Sequence, residues 1–130
     1  MNKNEWGPGE WQHEPDEMLW KDEITGLPCA IRRSDSIGVL CGYVGVPKNH
    51  PYYHAYSSIC VGLSVHGGIT FAGNLYDDYD IWWIGFDCGQ PGDYSPRLKM
   101  GGKYRNFSYA RQQVFNLAKQ LAEIKNEEIQ

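Results

Sequence analysis

The chain has 130 residues, of which 42% are hydrophobic and 14% aromatic, a size that suits one domain with its own core and benefits from oligomerisation. A formal net charge of -4 excludes a duplex-binding protein of the usual kind, which needs a basic face to neutralise phosphates. No apolar run is long enough to span a membrane, and Met1-Asn2-Lys3-Asn4-Glu5-Trp6 lacks the apolar core of a signal peptide; a cytoplasmic protein with no membrane partner is expected.

In chain order, residues 1–22 read as an acidic arm carrying Trp6, Trp11 and Trp20 among Gly, Pro and Glu residues. Three indoles give the arm apolar area to lay across the body or a neighbouring subunit. Residues 23–105 read as a sheet-rich body. Its strand-like runs are Cys29 to Arg33, Val39 to Val46, Ile59 to Val65, Ile69 to Ala72 and Ile81 to Phe86, separated by turn signals. Ser34 to Gly38 reads as a hairpin loop, His66-Gly67-Gly68 as a tight corner, and Asn74 to Asp80 as an acidic surface loop. Gly42, Gly45 and Gly62 fall inside strand runs, which signals bulges or close backbone approach.

After a cap at Asn106, the residues Phe107, Ala110, Val114, Leu117, Ala118, Leu121 and Ile124 recur at helical spacing, giving a predicted helix over 106–128. The fold class is therefore α+β: a single domain in which one antiparallel sheet is packed by a long C-terminal helix.

The four cysteines, Cys29, Cys41, Cys60 and Cys88, form no C-x-x-C pair. They read as thiols, neither a zinc knuckle nor a disulfide framework, and no metal or cofactor is expected. His50 and His54 flank Pro51 four positions apart, but proline and the adjacent tyrosines favour a loop over a metal-binding helix.

Chemistry concentrates at Ile81 to Asp93. An apolar strand there runs into Asp87, Cys88 and Asp93 across a Gly-Pro turn, which puts carboxylates and a thiol at the mouth of a sheet. His66 beside two glycines suits an acid, a base or a hydrogen-bond donor approached through open backbone. Asp93, following Gly92, reads as a turn residue and Asp87 as the functional carboxylate, although either can orient His66. Cys88 is the best placed thiol for a nucleophile. The chain contains no Walker loop, dinucleotide fingerprint, H-E-x-x-H or G-x-S-x-G.

The motifs Trp20-x-Asp22, Thr25-Gly26-Leu27-Pro28-Cys29, Leu40-Cys41-Gly42-Tyr43-Val44-Gly45-Val46-Pro47, His50-Pro51-x-Tyr53, Val65-His66-Gly67-Gly68-Ile69-Thr70 and Trp82-Trp83-Ile84-Gly85-Phe86-Asp87-Cys88 together resemble a family of small uncharacterised phage and prophage proteins. The resemblance covers Trp6 to about Leu121. Where those relatives often carry Ala-His-Ala-Gly-Asp after the cysteine, this chain has Gly89-Gln90-Pro91-Gly92-Asp93, so Gln90 removes a base from that position. A phage origin implies an accessory role against host defence, including sequestration of an immune signalling nucleotide.

The first functional expectation is thus a homo-oligomeric binding protein. It holds a small nucleotide-like ligand among Tyr43, Tyr53, His66, Trp82, Trp83 and Asp87, with Arg32 or Arg33 toward phosphate. The alternative is a hydrolase using His66, Asp87 and Cys88. A third reading is an acidic inhibitor of a host protein, built from the arm and the Tyr76 to Asp80 loop.

Overall fold

The computed structural model describes residues 1–124. Five strands, β1 (Glu17–Lys21), β2 (Pro28–Arg33), β3 (Leu40–Pro47), β4 (Phe71–Gly73) and β5 (Ile81–Asp87), pair antiparallel in the order β1-β2-β3-β5-β4. A single helix, α1 (Phe107–Glu123), packs on β3 and β2. This is the α+β arrangement that the sequence predicts.

Strand alternation divides the side chains between two faces. The register turns Met18 and Trp20 of β1, Cys29 and Ile31 of β2, Val44 and Val46 of β3, and Trp82, Ile84 and Phe86 of β5 toward α1. The helix answers with Ala110, Val114, Leu117, Ala118 and Leu121, all buried. Gly42 allows the close approach: a Cβ there would lie 2.5 Å from the Phe86 ring and 2.6 Å from Val114. On the opposite, helix-free face stand Leu19, Arg32, Cys41, Tyr43, Phe71, Trp83 and Asp87.

Local chemistry fixes both ends of α1. Asn106 is the N-cap, its side chain accepting from the Tyr109 N–H at 2.9 Å, and the helix stops at Ile124, which is already extended. The predicted continuation beyond residue 124 lies outside the described residues. A second acceptor at the N-terminus comes from the arm, where a Glu14 carboxylate oxygen accepts from the Phe107 N–H at 2.8 Å.

Residues 17–21, which the sequence reading gives to the arm, form β1 and pair residue for residue with β2. The alternation Met18, Trp20 inward and Leu19 outward drives that pairing, because it half-buries two large side chains on α1's face of the sheet. The preceding segment makes two short 3-10 turns, Asn4–Trp6 and Glu10–His13, and buries Trp6 and Trp11. Trp11 packs between Tyr94 and Tyr104 with centroids 5.7 and 5.1 Å away.

The predicted strand over Ile59 to Val65 is instead a 3-10 turn, Ser57–Gly62. Its buried residues Cys60 and Leu63 are three positions apart while Ile59 is exposed, the spacing of one 3-10 turn and not of a strand. A short apolar run without alternation does not discriminate between the two. Gly62, read as a strand glycine, sits in this turn with nothing near its α-carbon's missing side chain.

Candidate functional site

The eight residues expected to line one ligand pocket do not converge. Trp82 and Trp83 are consecutive on β5 and therefore face opposite sides of the sheet. Trp82 donates its indole N–H to the Ala55 carbonyl at 2.9 Å, whereas Trp83 is buried on the helix-free side against Tyr76, 5.5 Å away. Tyr53 stacks on His54 at 4.1 Å and donates to the Tyr79 carbonyl. His50 turns elsewhere, its Nε2 lying 2.7 Å from the Leu121 carbonyl at the helix end, so the two histidines of that loop make no common site.

Arg33 does not reach a phosphate either. Its side chain has no exposed surface, and it bonds Asp16 at 2.7 Å, Glu14 at 3.1 Å and the Gly38 carbonyl and Tyr104 hydroxyl at 3.0 and 2.9 Å. It is the hub that locks the arm onto the body, because a buried guanidinium needs all its donors matched. Arg32, the next residue, points to the helix-free face, lies 5.6 Å over the Tyr76 ring and meets Glu17 only loosely at 3.7 Å.

His66 does sit in a cluster, but its carboxylate is Asp93 and not Asp87. The Val65–Gly68 turn, closed by the Gly68 N–H donating to the Val65 carbonyl and by positive φ at Gly67 and Gly68, places the imidazole between two partners. Nε2 lies 2.7 Å from an Asp93 carboxylate oxygen and Nδ1 lies 2.7 Å from the Tyr109 hydroxyl. Asp93 also accepts from Arg105 at 2.9 Å and from the Gln90 N–H at 3.0 Å.

Burial alone would raise the Asp93 carboxyl. The hydrogen bonds from His66, Arg105 and Gln90 outweigh it and hold the group below the ordinary carboxylate range. Asp87, read as the functional carboxylate, is a turn residue instead: it accepts from Thr70, the Gly89 N–H and the Gln90 side chain.

Cys88 is unsuited to nucleophilic work. It is buried, and burial, reinforced by the charge of Asp93, pushes its thiol up to about 12. Burial likewise pushes Cys29 to about 12 and Cys41 to about 11.

The best formed concavity lies elsewhere, between β1, the turn that follows it and the first half of α1. It encloses about 570 Å³ and is lined by Met18, Trp20, Lys21, Asp22, Glu23, Ile24, Cys29, Ser108, Arg111, Gln112 and Phe115. The Arg111 guanidinium sits 5.7 Å over the Trp20 ring, and neither Arg111 nor Lys21 makes an ion pair with a described residue. Asp22 rigidifies the turn by accepting from both the N–H and the hydroxyl of Thr25 at 2.8 Å. A smaller hollow of about 520 Å³ lies beneath the arm around Trp6, but its Arg97 is committed to the Asp35 carbonyl.

The groove thus combines a flat indole, two cations and carboxylates in one volume of ligand size. Trp20 and Arg111 escape the functional reading because one falls within the expected arm and the other lies off the apolar stripe of the expected helix. The signals were present. Glu17 to Lys21 alternates as a strand does, and Ser108, Arg111, Gln112 and Phe115 recur at i, i+3, i+4, i+7 beside the apolar stripe.

Comparison of the chain with family models, curated proteins and solved structures finds no match. The chain is a single-sheet α+β domain with a ligand-sized cleft against its helix. Among the described residues, no helix is long and apolar enough to cross a membrane, and no group of three or more His, Cys, Asp or Glu side chains is placed to hold a metal ion.

Proposed function

We propose that the protein is a homo-oligomeric binding protein that takes up a small nucleotide-like ligand and holds it unchanged, in the groove between β1 and α1. The observation that carries this reading is the placement of Arg111 over Trp20 at the wall of this cleft of about 570 Å³. An indole face stacks on a base, Arg111 and Lys21 meet phosphate oxygens, and Glu23 accepts from the amino edge of the base. The resemblance of the motifs to phage and prophage proteins supports an anti-defence role, with an immune signalling nucleotide as the ligand and the host cytoplasm as the setting.

Arg111→Ala tests the site with little risk to the fold, since Arg111 is exposed on α1 and alanine is the best helix former. A lost charge-assisted hydrogen bond is worth about 1.5–3 kcal/mol, so titration calorimetry with the nucleotide that binds should show affinity weakened by about tenfold or more. Unchanged affinity would move the ligand out of this groove.

A second reading rests on the 2.7 Å contacts that put His66 between Asp93 and Tyr109. In that geometry Asp93 orients the imidazole and His66 exchanges a proton with the Tyr109 phenol, a relay suited to a hydrolase. Turnover separates the readings. If His66→Ala abolished product formation without changing affinity, catalysis would replace sequestration.

A further inference from the structure

The helix-free face of the sheet holds two polar atoms that the rest of the fold does not use. Trp83 is only 2% exposed and packs edge-to-face with Tyr76, with ring centroids 5.5 Å apart. Yet the Trp83 indole N–H and the Tyr76 hydroxyl are both buried without a hydrogen-bond partner among the described residues. Native proteins pair nearly all such groups, and an unpaired one calls for a specific reason. Phenylalanine at position 76 would keep the same ring with no polar atom to satisfy, and the Trp83 N–H adds a second buried donor beside it.

The surroundings supply the rest of a site. Tyr43 and Phe71 form an edge-to-face aromatic wall on the same face, 5.3 Å apart. Arg32 lies over the Tyr76 ring, and its 3.7 Å contact with Glu17 leaves the guanidinium free to turn. Tyr76 is carried by the loop between β4 and β5, whose fastenings cluster at its far end: the Tyr53 hydroxyl on the Tyr79 carbonyl and the Ile81 N–H on the Asp78 carbonyl. Tyr76 lies outside β4 and β5 and takes part in no ladder of the sheet.

We infer that Trp83 and Tyr76 form a second binding site, distinct from the groove, for a small planar ligand bearing a hydrogen-bond acceptor. The indole N–H and the phenol O–H donate to the acceptor, the planar body packs on Tyr43 and Phe71, and Tyr76 closes over it. A carboxylate is favoured over a neutral carbonyl, because Arg32 then contributes its charge.

Nicotinate and nicotinamide share one ring and differ in that acceptor, which makes them suitable probes. Nitrogen-15 spectra resolve the indole N–H signals, and Trp83→Phe assigns the one that matters. On titration with nicotinate the Trp83 signal is expected to move downfield and saturate, with nicotinamide following more weakly. Arg32→Gln is expected to bring nicotinate down to the nicotinamide level. Tyr76→Phe is expected to weaken both by at least about fivefold while raising the melting temperature, since it deletes an unpaired buried hydroxyl. A Trp83 signal that neither probe moves overturns the inference. So does a Trp83 indole N–H held by an internal water that persists through the titration.

Discussion

Asp93 and Arg33 show how two charges are kept buried near the same end of the sheet, where Tyr104 meets Arg33 and the adjacent Arg105 meets Asp93. Asp93 is held ionised by His66, Arg105 and Gln90, with its pKa below the ordinary 3.8. The folded protein therefore binds this proton less readily than the unfolded chain. Its stabilisation is complete above pH of about 4 and is lost as pH falls through the lowered folded value. Asp16, held low by Lys3 and Arg33 against the effect of burial, adds a term of the same sign. Urea titrations between pH 6 and 2 are expected to show a stability loss on acidification that is shallower in Asp93→Asn, and a variant with the wild-type slope would remove Asp93 from this role.

Arg33→Ala leaves Glu14 and Asp16 facing an emptied pocket, and is expected to cost about 3 kcal/mol of unfolding free energy, read as a lowered urea midpoint. It should also release the arm to limited proteolysis. For Cys88, alkylation of the folded protein at neutral pH is expected to be far slower than of the unfolded chain, as a buried thiol displaced to about 12 requires. Rapid labelling of Cys88 would reopen the nucleophile.

At the scale of elements, what the sequence made legible was whatever rests on periodicity. Helix α1 was readable from its apolar stripe and its Asn106 cap, and β2, β3 and β5 from apolar runs between turn signals. The 3-10 turn over Ser57–Gly62 was not, since an unbroken row of small and apolar residues carries no period. Strand β1 was hidden by its acidic, proline-rich context, although Met18 and Trp20 alternate as core residues do.

The site was less legible than the fold for the same physical reason. Which of Asp87 and Asp93 meets His66 depends on how two loops fold back, not on spacing. The glycine at position 42 illustrates the converse, a feature whose meaning appears once β3, β5 and α1 are packed. Gly42→Ala forces a methyl into the Phe86 ring and Val114, and thermal unfolding is expected to register a loss of about 1–3 kcal/mol. A neutral result would mean that α1 can ride away from the sheet at no cost.

Across the whole molecule, the helix covers one side of the sheet and leaves its flank against β1 as a cleft, while the arm is spent on locking the opposite end through Arg33 and Glu14. Structural bonds consume Arg33, Asp87 and Trp82, whereas in the groove Arg111 and Lys21 make no ion pair with a described residue and stand beside Trp20. That division of labour favours uptake of a ligand over chemistry on it. It can be tested by incubating the purified protein with a panel of cyclic and linear nucleotides, removing the supernatant, heat-denaturing the protein and weighing both fractions by mass spectrometry. One nucleotide depleted from solution and then released unchanged on heating is the expected result. Conversion to a new mass would make the protein an enzyme instead, with His66→Ala the next test, and no depletion of any nucleotide would contradict the account.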